Sequence, residues 1–281
     1  MAQAEEIASE KQDILPSERS GRADWGIFNL LNQLLIFVGE TALLTFQCLQ
    51  AILTGRVAMR DILTQMSSVG ADSIWIVSAN TFFTGAVFSI YTATLAVQVG
   101  FPEFVGGTVG YAFLNELGPM LAGVSLASRS GAAIAAEIGT MVVTEQVDAL
   151  RAMAVSPIRY LVAPRVIASM CMLPLLTVIA DLSGMIGAMF AARSYGVGTI
   201  IFWDSVHKYT QPLDLMRGLI KSVVFGLLVG IVSCQQGLKT EGGATGVGKA
   251  TTSSVVSCIV LIFLSDFFLA QILTQLLQRH L

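Results

Sequence analysis

The pattern that most directly suggests chemistry lies at residues 243–249, which fit the G-x-x-x-x-G-K of a phosphate-binding loop. Such a loop continues with a Ser or Thr that binds Mg²⁺, whereas this chain has Ala250. A membrane helix rather than a strand also precedes the pattern. The sequence therefore predicts no nucleotide site here, but a flexible cytoplasmic turn that ends where Thr251 and Thr252 begin a helix.

Cysteine and histidine are too few and too scattered for a metal centre. The four cysteines lie singly in apolar segments without a C-x-x-C pair, which argues against a zinc site and a disulfide framework. We expect packing roles for them, and neither metal nor cofactor. These residues are Cys48, Cys171, Cys234 and Cys258, and the two histidines are His207 and His280.

Three charged residues fall inside long apolar segments: Arg129, Asp181 and Asp266. A charge near the bilayer centre costs roughly 2.5–3.5 kcal/mol on insertion scales, so each should face a partner or a water-filled cavity. Glu137 lies eight residues from Arg129, or about 12 Å along one helix, too far for a direct pair. We therefore expect Arg129 to meet Asp181 or Asp266, and a transport role for these charges is the alternative to structural pairing.

Residues 137–165 form a charged interruption of this apolar sequence. Gly139 and Pro157 predict the two ends of a helix of about a dozen residues, with Glu145 in its first turn and Ser156 outside it. Apolar and charged residues alternate at helical spacing, which predicts one face of each kind. The apolar positions are Val147, Leu150 and Met153 or Ala154, and the charged ones are Glu145, Asp148 and Arg151. Such a helix either docks on a soluble protein or lies on the membrane surface as an amphipathic turn.

Composition places these residues in a membrane protein. The chain has 281 residues, of which 54% are hydrophobic and 12% charged, with a mean hydropathy of +0.72. Charges are too few and apolar runs too long for a soluble domain. A formal net charge of -3 without a basic block gives no reason to expect a nucleic-acid partner.

The expected fold is all-α: a disordered cytoplasmic tail at 1–24, amphipathic interfacial helices at 25–72, and a five-helix domain at 73–281. In segment 25–53 most polar residues share one arc of the helix, which favours an interfacial over a spanning position. A second amphipathic piece covers 60–72. The predicted spans are 73–102, 111–141, 164–192, 215–237 and 251–278.

The distribution of lysine and arginine predicts the orientation of these spans. Ten of these residues lie in the segments that share a side with the tail, namely 1–72, the 137–165 segment and the loop after the fourth span. Positive charge concentrates on the cytoplasmic side of membrane proteins. We therefore expect the tail and the 137–165 segment inside, and the C-terminus outside.

Four stretches carry a family resemblance. They are GTMVVTEQVDAL, SPIRYLVAPR, NELGPMLAG and LPLLTVIAD. The chain from about residue 79 onward resembles the MlaE/YrbE permeases, the membrane subunits of ABC transporters that move lipids with MCE-domain proteins. The resemblance implies a second copy of the chain, a separate ABC ATPase, an MCE-type partner and membrane lipid as its partners. It also implies the inner membrane of a cell, or of an organelle of bacterial descent.

The same resemblance implies residue roles. In the family, the TEQ-DAL segment is similar to the coupling helix that docks on the ATPase; its residues here are Glu145, Gln146, Asp148 and Arg151. A lipid cavity between two copies would be lined by Phe83, Val87, Tyr91, Leu95, Asn115 and Glu116. Asn115 stands where many relatives have an arginine. For the apolar members of the set, ordinary helix packing is the alternative.

A transport subunit without catalytic residues is therefore the leading hypothesis. An ion-coupled secondary transporter, with the intramembrane charges as a relay, is the alternative. An ATPase partner is required by the first hypothesis and not by the second.

Overall fold

A computed structural model describes residues 22–54 and 58–278, and every regular element in these two ranges is helical. Residues 1–21 of the predicted tail lie outside the described ranges, and residues 22–24 begin the first helix. The α-helices are α1 (Arg22–Leu53), α2 (Met59–Gly70), α3 (Ile74–Val99), α4 (Val105–Ala112), α5 (Gly118–Leu126), α6 (Ala132–Val143), α7 (Gln146–Ala152), α8 (Ala163–Ser194), α9 (Thr199–Tyr209), α10 (Pro212–Leu238) and α11 (Gly243–Gln278).

The chain divides into two compact units, residues 1–43 and 44–281. In the described part of the first unit, Leu35, Ile36 and Val38 on α1 are exposed. The second unit contains the end of α1 and all the later helices.

Five helices in the described ranges are long and apolar enough to cross a membrane: Leu35–Leu53, Met59–Val99, Ile158–Ser194, Pro212–Leu238 and Gly243–Gln275. The predicted class, an all-α integral membrane protein, is confirmed. The membership of the set differs from the prediction. It includes Leu35–Leu53, for which the sequence favours a position in the membrane interface. It leaves out the run 105–143, which carries Glu116, Arg129 and Glu137.

The run 105–143 is helical throughout but contains two π-helical segments, Phe113–Leu117 and Ala127–Gly131. The first ends directly before α5, in which Pro119 cannot donate a backbone hydrogen bond. Single π turns inside α-helices occur frequently at functional sites. Each of these two holds one charged residue, Glu116 or Arg129.

Helices α3 and α8 approach each other through glycine. A Cβ atom on Gly85 would lie 2.0 Å from the carbonyl oxygen of Gly184, and one on Gly187 would lie 2.1 Å from that of Phe82. Ser183 adds a hydrogen bond of 2.7 Å to the Ser78 carbonyl. Small residues allow this close backbone packing in a membrane, where there is little hydrophobic force between helices.

One expectation about local structure is wrong, and one helix lies where no element was predicted. The glycine-rich stretch is not a turn up to Thr251, because α11 begins at Gly243. The close approach of the Glu241 carbonyl, 1.8 Å from where a Cβ on Gly246 would lie, explains a glycine within the first turns of this helix. The helix α9 lies between the third and fourth predicted spans.

Candidate functional site

A buried lysine joins three helical elements. The Nζ atom of Lys221 on α10 lies 2.5 Å from Oε2 of Glu116, in the first π segment, and 3.0 Å from Oδ1 of Asp266 on α11. The side chain of Lys221 is 2% exposed, that of Asp266 15% and that of Glu116 43%. The cluster therefore runs from the protein interior to an accessible carboxylate at Glu116.

Positive and negative charges do not balance in this cluster. One ammonium faces two carboxylates, so the cluster has one negative charge when all three are ionised. A buried ion needs its partners, since breaking such a pair typically costs 3–5 kcal/mol. Sequence reasoning missed Lys221 as the partner of Asp266 and Glu116. The available signal was a lysine within the predicted span 215–237.

Arg129 does not meet Asp181 or Asp266, so the predicted pairing is wrong. Its Nη2 atom lies 3.0 Å from Oδ2 of Asp72, and its Nη1 atom donates to the Ser68 carbonyl and to Ser73 Oγ. Asp72 belongs to the 3₁₀ turn Ala71–Ser73 that joins α2 to α3. The prediction failed because it considered only carboxylates within the apolar segments.

Asp181 on α8 is 2% exposed, and neither carboxylate oxygen has a hydrogen-bond partner among the described residues. Its Oδ1 atom occupies the space beside Gly118, 1.7 Å from where a Cβ would lie. The relay hypothesis requires the three intramembrane charges to act together. The structure instead gives Arg129 and Asp266 separate partners and leaves Asp181 apart.

Another ion pair joins the two ends of the 137–165 segment. Arg165 on α8 donates to Oε2 of Glu137 on α6 at 2.9 Å and to the Leu161 carbonyl at the same distance. The Arg165 side chain is buried. This pair links α6 to α8, the helices that precede and follow the intervening segment.

Helix α7 within that segment covers only Gln146–Ala152, so the predicted dozen residues and the start after Gly139 are wrong. Helix α6 continues through Gly139, which packs against Thr240, and ends at Val143. Glu145 is therefore the N-cap residue, with φ +60°, rather than part of the first turn. Ser156 lies outside helix, as predicted.

The predicted division of the α7 side chains holds only in part, because Leu150 is half-buried and Met153 and Ala154, which were expected on the apolar face, are exposed. Val147 is buried, whereas Glu145, Gln146, Asp148 and Arg151 are exposed. The Arg151 guanidinium donates to Asp148 at 2.9 Å. The helix thus presents a hydrogen-bonded charged surface between two anchored helices.

Four of the residues expected to line a lipid path form an exposed stripe on α3. Phe83, Val87, Tyr91 and Leu95 follow each other at four-residue spacing, and each is more than half exposed. Asn115 differs from them, because it is buried and donates to the Tyr111 carbonyl. Next to the stripe, Leu95 also lines an open apolar groove of about 320 Å³ that includes Val99, Phe101 and Phe104.

Comparison with known proteins adds a consistent set of similarities. The sequence model of the family Permease MlaE matches residues 62–272. A probable ABC transporter permease protein of Synechocystis sp. is 44% identical over 233 residues, which are 83% of this chain and 89% of that protein. The chloroplastic protein TRIGALACTOSYLDIACYLGLYCEROL 1 of Arabidopsis thaliana is 39% identical over 230 residues, 82% of this chain and 66% of that protein. A probable ABC transporter permease protein of Rickettsia prowazekii is 38% identical over 236 residues, 84% and 91% of the two chains.

Proposed function

The chain belongs to the MlaE permease family, and from this premise we propose that it moves a phospholipid or a related lipid between the membrane and an MCE-type partner. As an ABC transporter permease it is a multi-pass membrane subunit rather than an enzyme, and its transport requires an ATPase partner. We further propose that the subunit works as a homodimer in an inner membrane, of a cell or of an organelle of bacterial descent.

The observation that carries the lipid assignment is that the chain has both an exposed apolar stripe, on α3, and a partly exposed carboxylate held by a buried lysine. The exposed side chains at 83, 87, 91 and 95 suit acyl chains, whereas Glu116 presents a polar group that Lys221 holds from the buried side. Lipids have the same combination of an apolar and a polar part. The Arabidopsis relative, whose name contains that of a glycolipid, supports this class of cargo.

The proposal assigns roles to the remaining site residues. Glu145, Gln146, Asp148 and Arg151 form the surface on which the ATPase docks, and the anchored helices on either side transmit its motion. Asn115, buried beside Glu116, shapes the path rather than facing the lipid. Arg129, Asp181 and Asp266 act in structural pairing and burial. The interfacial helices at 25–72 and the five-helix domain from 73 onward complete the proposed architecture.

Photocrosslinking tests the lipid path. Photoreactive residues at Tyr91 and Glu116 should capture lipid to an extent that changes when ATP is trapped in the assembled transporter. A photoreactive residue at Val97, exposed about 200° round α3 from Leu95, should capture surrounding lipid whatever the nucleotide state. Two results would contradict the proposed path. Positions 91 and 116 could crosslink to protein only, or they could crosslink to lipid equally with and without nucleotide.

A further inference from the structure

A second cavity lies in the 44–281 unit, between the end of α1 and the segment after α7. Its volume is about 570 Å³, within the range of small-molecule sites. None of the residues proposed for the lipid path lines it. The lining residues are Gln47, Gln50, Ala51, Leu53, Thr54, Ser156, Ile158 and Arg159.

The lining favours an anion. Among the described residues that line it, Arg159 is the one with a charge, and none is a carboxylate. The guanidinium is exposed and makes no ion pair with any residue in the described ranges. Gln47 and Gln50 on the α1 wall and Ser156 on the other wall supply uncharged donors. Arginine with surrounding amide and hydroxyl donors is the usual environment of a bound phosphate.

A neighbouring cavity of about 370 Å³ shares Ser156 and Arg159 and is lined also by Asp61 and Tyr160. The structure shows no ion pair between Asp61 and Arg159, although both line this space. The Arg159 guanidinium is therefore not held by a salt bridge to Asp61.

The source of the phosphate follows from the surroundings of the cavity. Leu49 and Leu53 on the same turns of α1 are exposed, and residues Leu35–Leu53 are apolar enough for a membrane. A polar cavity beside exposed leucines suits a headgroup whose acyl chains lie against the helix. We propose that this cavity binds the phosphate of an anionic phospholipid headgroup, at a site separate from the transport path. The bound headgroup bridges α1 and the segment that follows α7.

Native mass spectrometry of the whole chain in detergent tests the site, with phosphatidylglycerol, phosphatidylcholine and inorganic phosphate as separate probes. Wild-type protein should retain phosphatidylglycerol in preference to phosphatidylcholine. Arg159→Gln should weaken the phosphatidylglycerol adduct by about fivefold, the effect of one basic residue near an anionic lipid. Gln50→Leu, on the opposite wall, should weaken it as well, and Arg159→Lys should restore most of it.

Arg193→Gln is the matched control. Arg193 is also exposed and makes no ion pair with a described residue, but it lies in the last turn of α8, whereas Arg159 precedes the first turn of that helix. It should retain phosphatidylglycerol as the wild type does. Equal retention by Arg159→Gln and the wild type would overturn the proposal. So would displacement of phosphatidylglycerol by millimolar inorganic phosphate, because the ligand would then be a soluble anion. Neither result depends on ATP or on transport.

Discussion

At the scale of single residues, the membrane-embedded charges divide into those with a partner and one without. Lys221 and Arg165 are buried and each meets a carboxylate from another element, so the desolvation of each cation is offset by an ion pair. Asp181 is equally buried but has no hydrogen-bond partner among the described residues. Its Oδ1 atom fills the space where a side chain on Gly118 would begin, so residue 118 cannot be larger than glycine without displacing it.

We therefore predict that Asp181→Asn stabilises the protein. Asparagine keeps the shape of the side chain, and a buried amide without a partner costs less than a buried carboxylate without one. A gain of about 1 kcal/mol corresponds to a rise in Tm of about 2–4 °C for a large domain, measurable by thermal unfolding in detergent. Asp148→Asn, at an exposed position, removes only a weak surface ion pair and should therefore change Tm little. A lower Tm for Asp181→Asn would show that the carboxylate has a stabilising contact.

At the scale of elements, α7 is a short helix with fixed ends. Glu145 before it and Ala154 after it both have positive φ, 60° and 59°, a conformation that costs a non-glycine residue free energy. The surrounding structure holds both turns. Helix α7 therefore leaves and rejoins the bundle in a defined direction, which suits a docking element that transmits rigid-body motion.

Charge reversal on α7 tests this role. Glu145→Arg combined with Asp148→Arg should abolish copurification of the ATPase and its lipid-stimulated turnover, because two cations would replace two anions next to Arg151. Single substitutions should weaken docking modestly, since exposed ion pairs contribute about 0–1 kcal/mol. Backbone strain at position 145 is the same for arginine as for glutamate.

Glu103→Arg with Asp204→Arg provides the charge-matched control, at exposed positions in the Pro102–Phe104 turn and on α9. We expect these on the opposite side of the membrane, so ATPase binding should persist. Full assembly and turnover in the α7 double variant would leave α7 as an interfacial turn without a docking role.

The elements also show why sequence reasoning succeeded in some places and failed in others. Long apolar runs predicted the spans from 164 and 215 to within a few residues, because burial in lipid requires them. Helix α9 depends on tertiary contacts instead: Ser205 accepts a hydrogen bond of 2.8 Å from the Gly107 backbone, and the Phe202 carbonyl lies against Gly106. The ion-pair partners of Arg129 and Glu116 likewise depend on how helices far apart in sequence pack together.

At the scale of the whole molecule, the distribution of positive charge gives the expected orientation. The described arginines of the 137–165 segment lie around α7 and on the first turn of α8, and the fourth span ends at Lys239. We place this side in the cytoplasm, where an ATPase finds ATP. Helix α9 and the Pro102–Phe104 turn then lie on the opposite side.

Cysteine labelling tests that orientation in a variant without the four native cysteines. A cysteine at Val155 should react with a membrane-impermeant maleimide only after cells are permeabilised. A cysteine at Lys208, exposed near the end of α9, should react in intact spheroplasts. Labelling of position 155 without permeabilisation would invert the proposed topology.

The glycine contacts between α3 and α8 have a mechanical consequence. A carbonyl oxygen of each helix fills the place of a missing side chain on the other, so neither can slide along its axis without a collision. We expect the two helices to translate and rotate as a single lever. Helix α8 follows α7 after one short connection, and α3 carries the exposed apolar stripe. A displacement of α7 would therefore move α8, and with it α3 and the stripe, as rigid helices. The energy of ATP hydrolysis would then be transmitted by displacement, without any helix unfolding on the way.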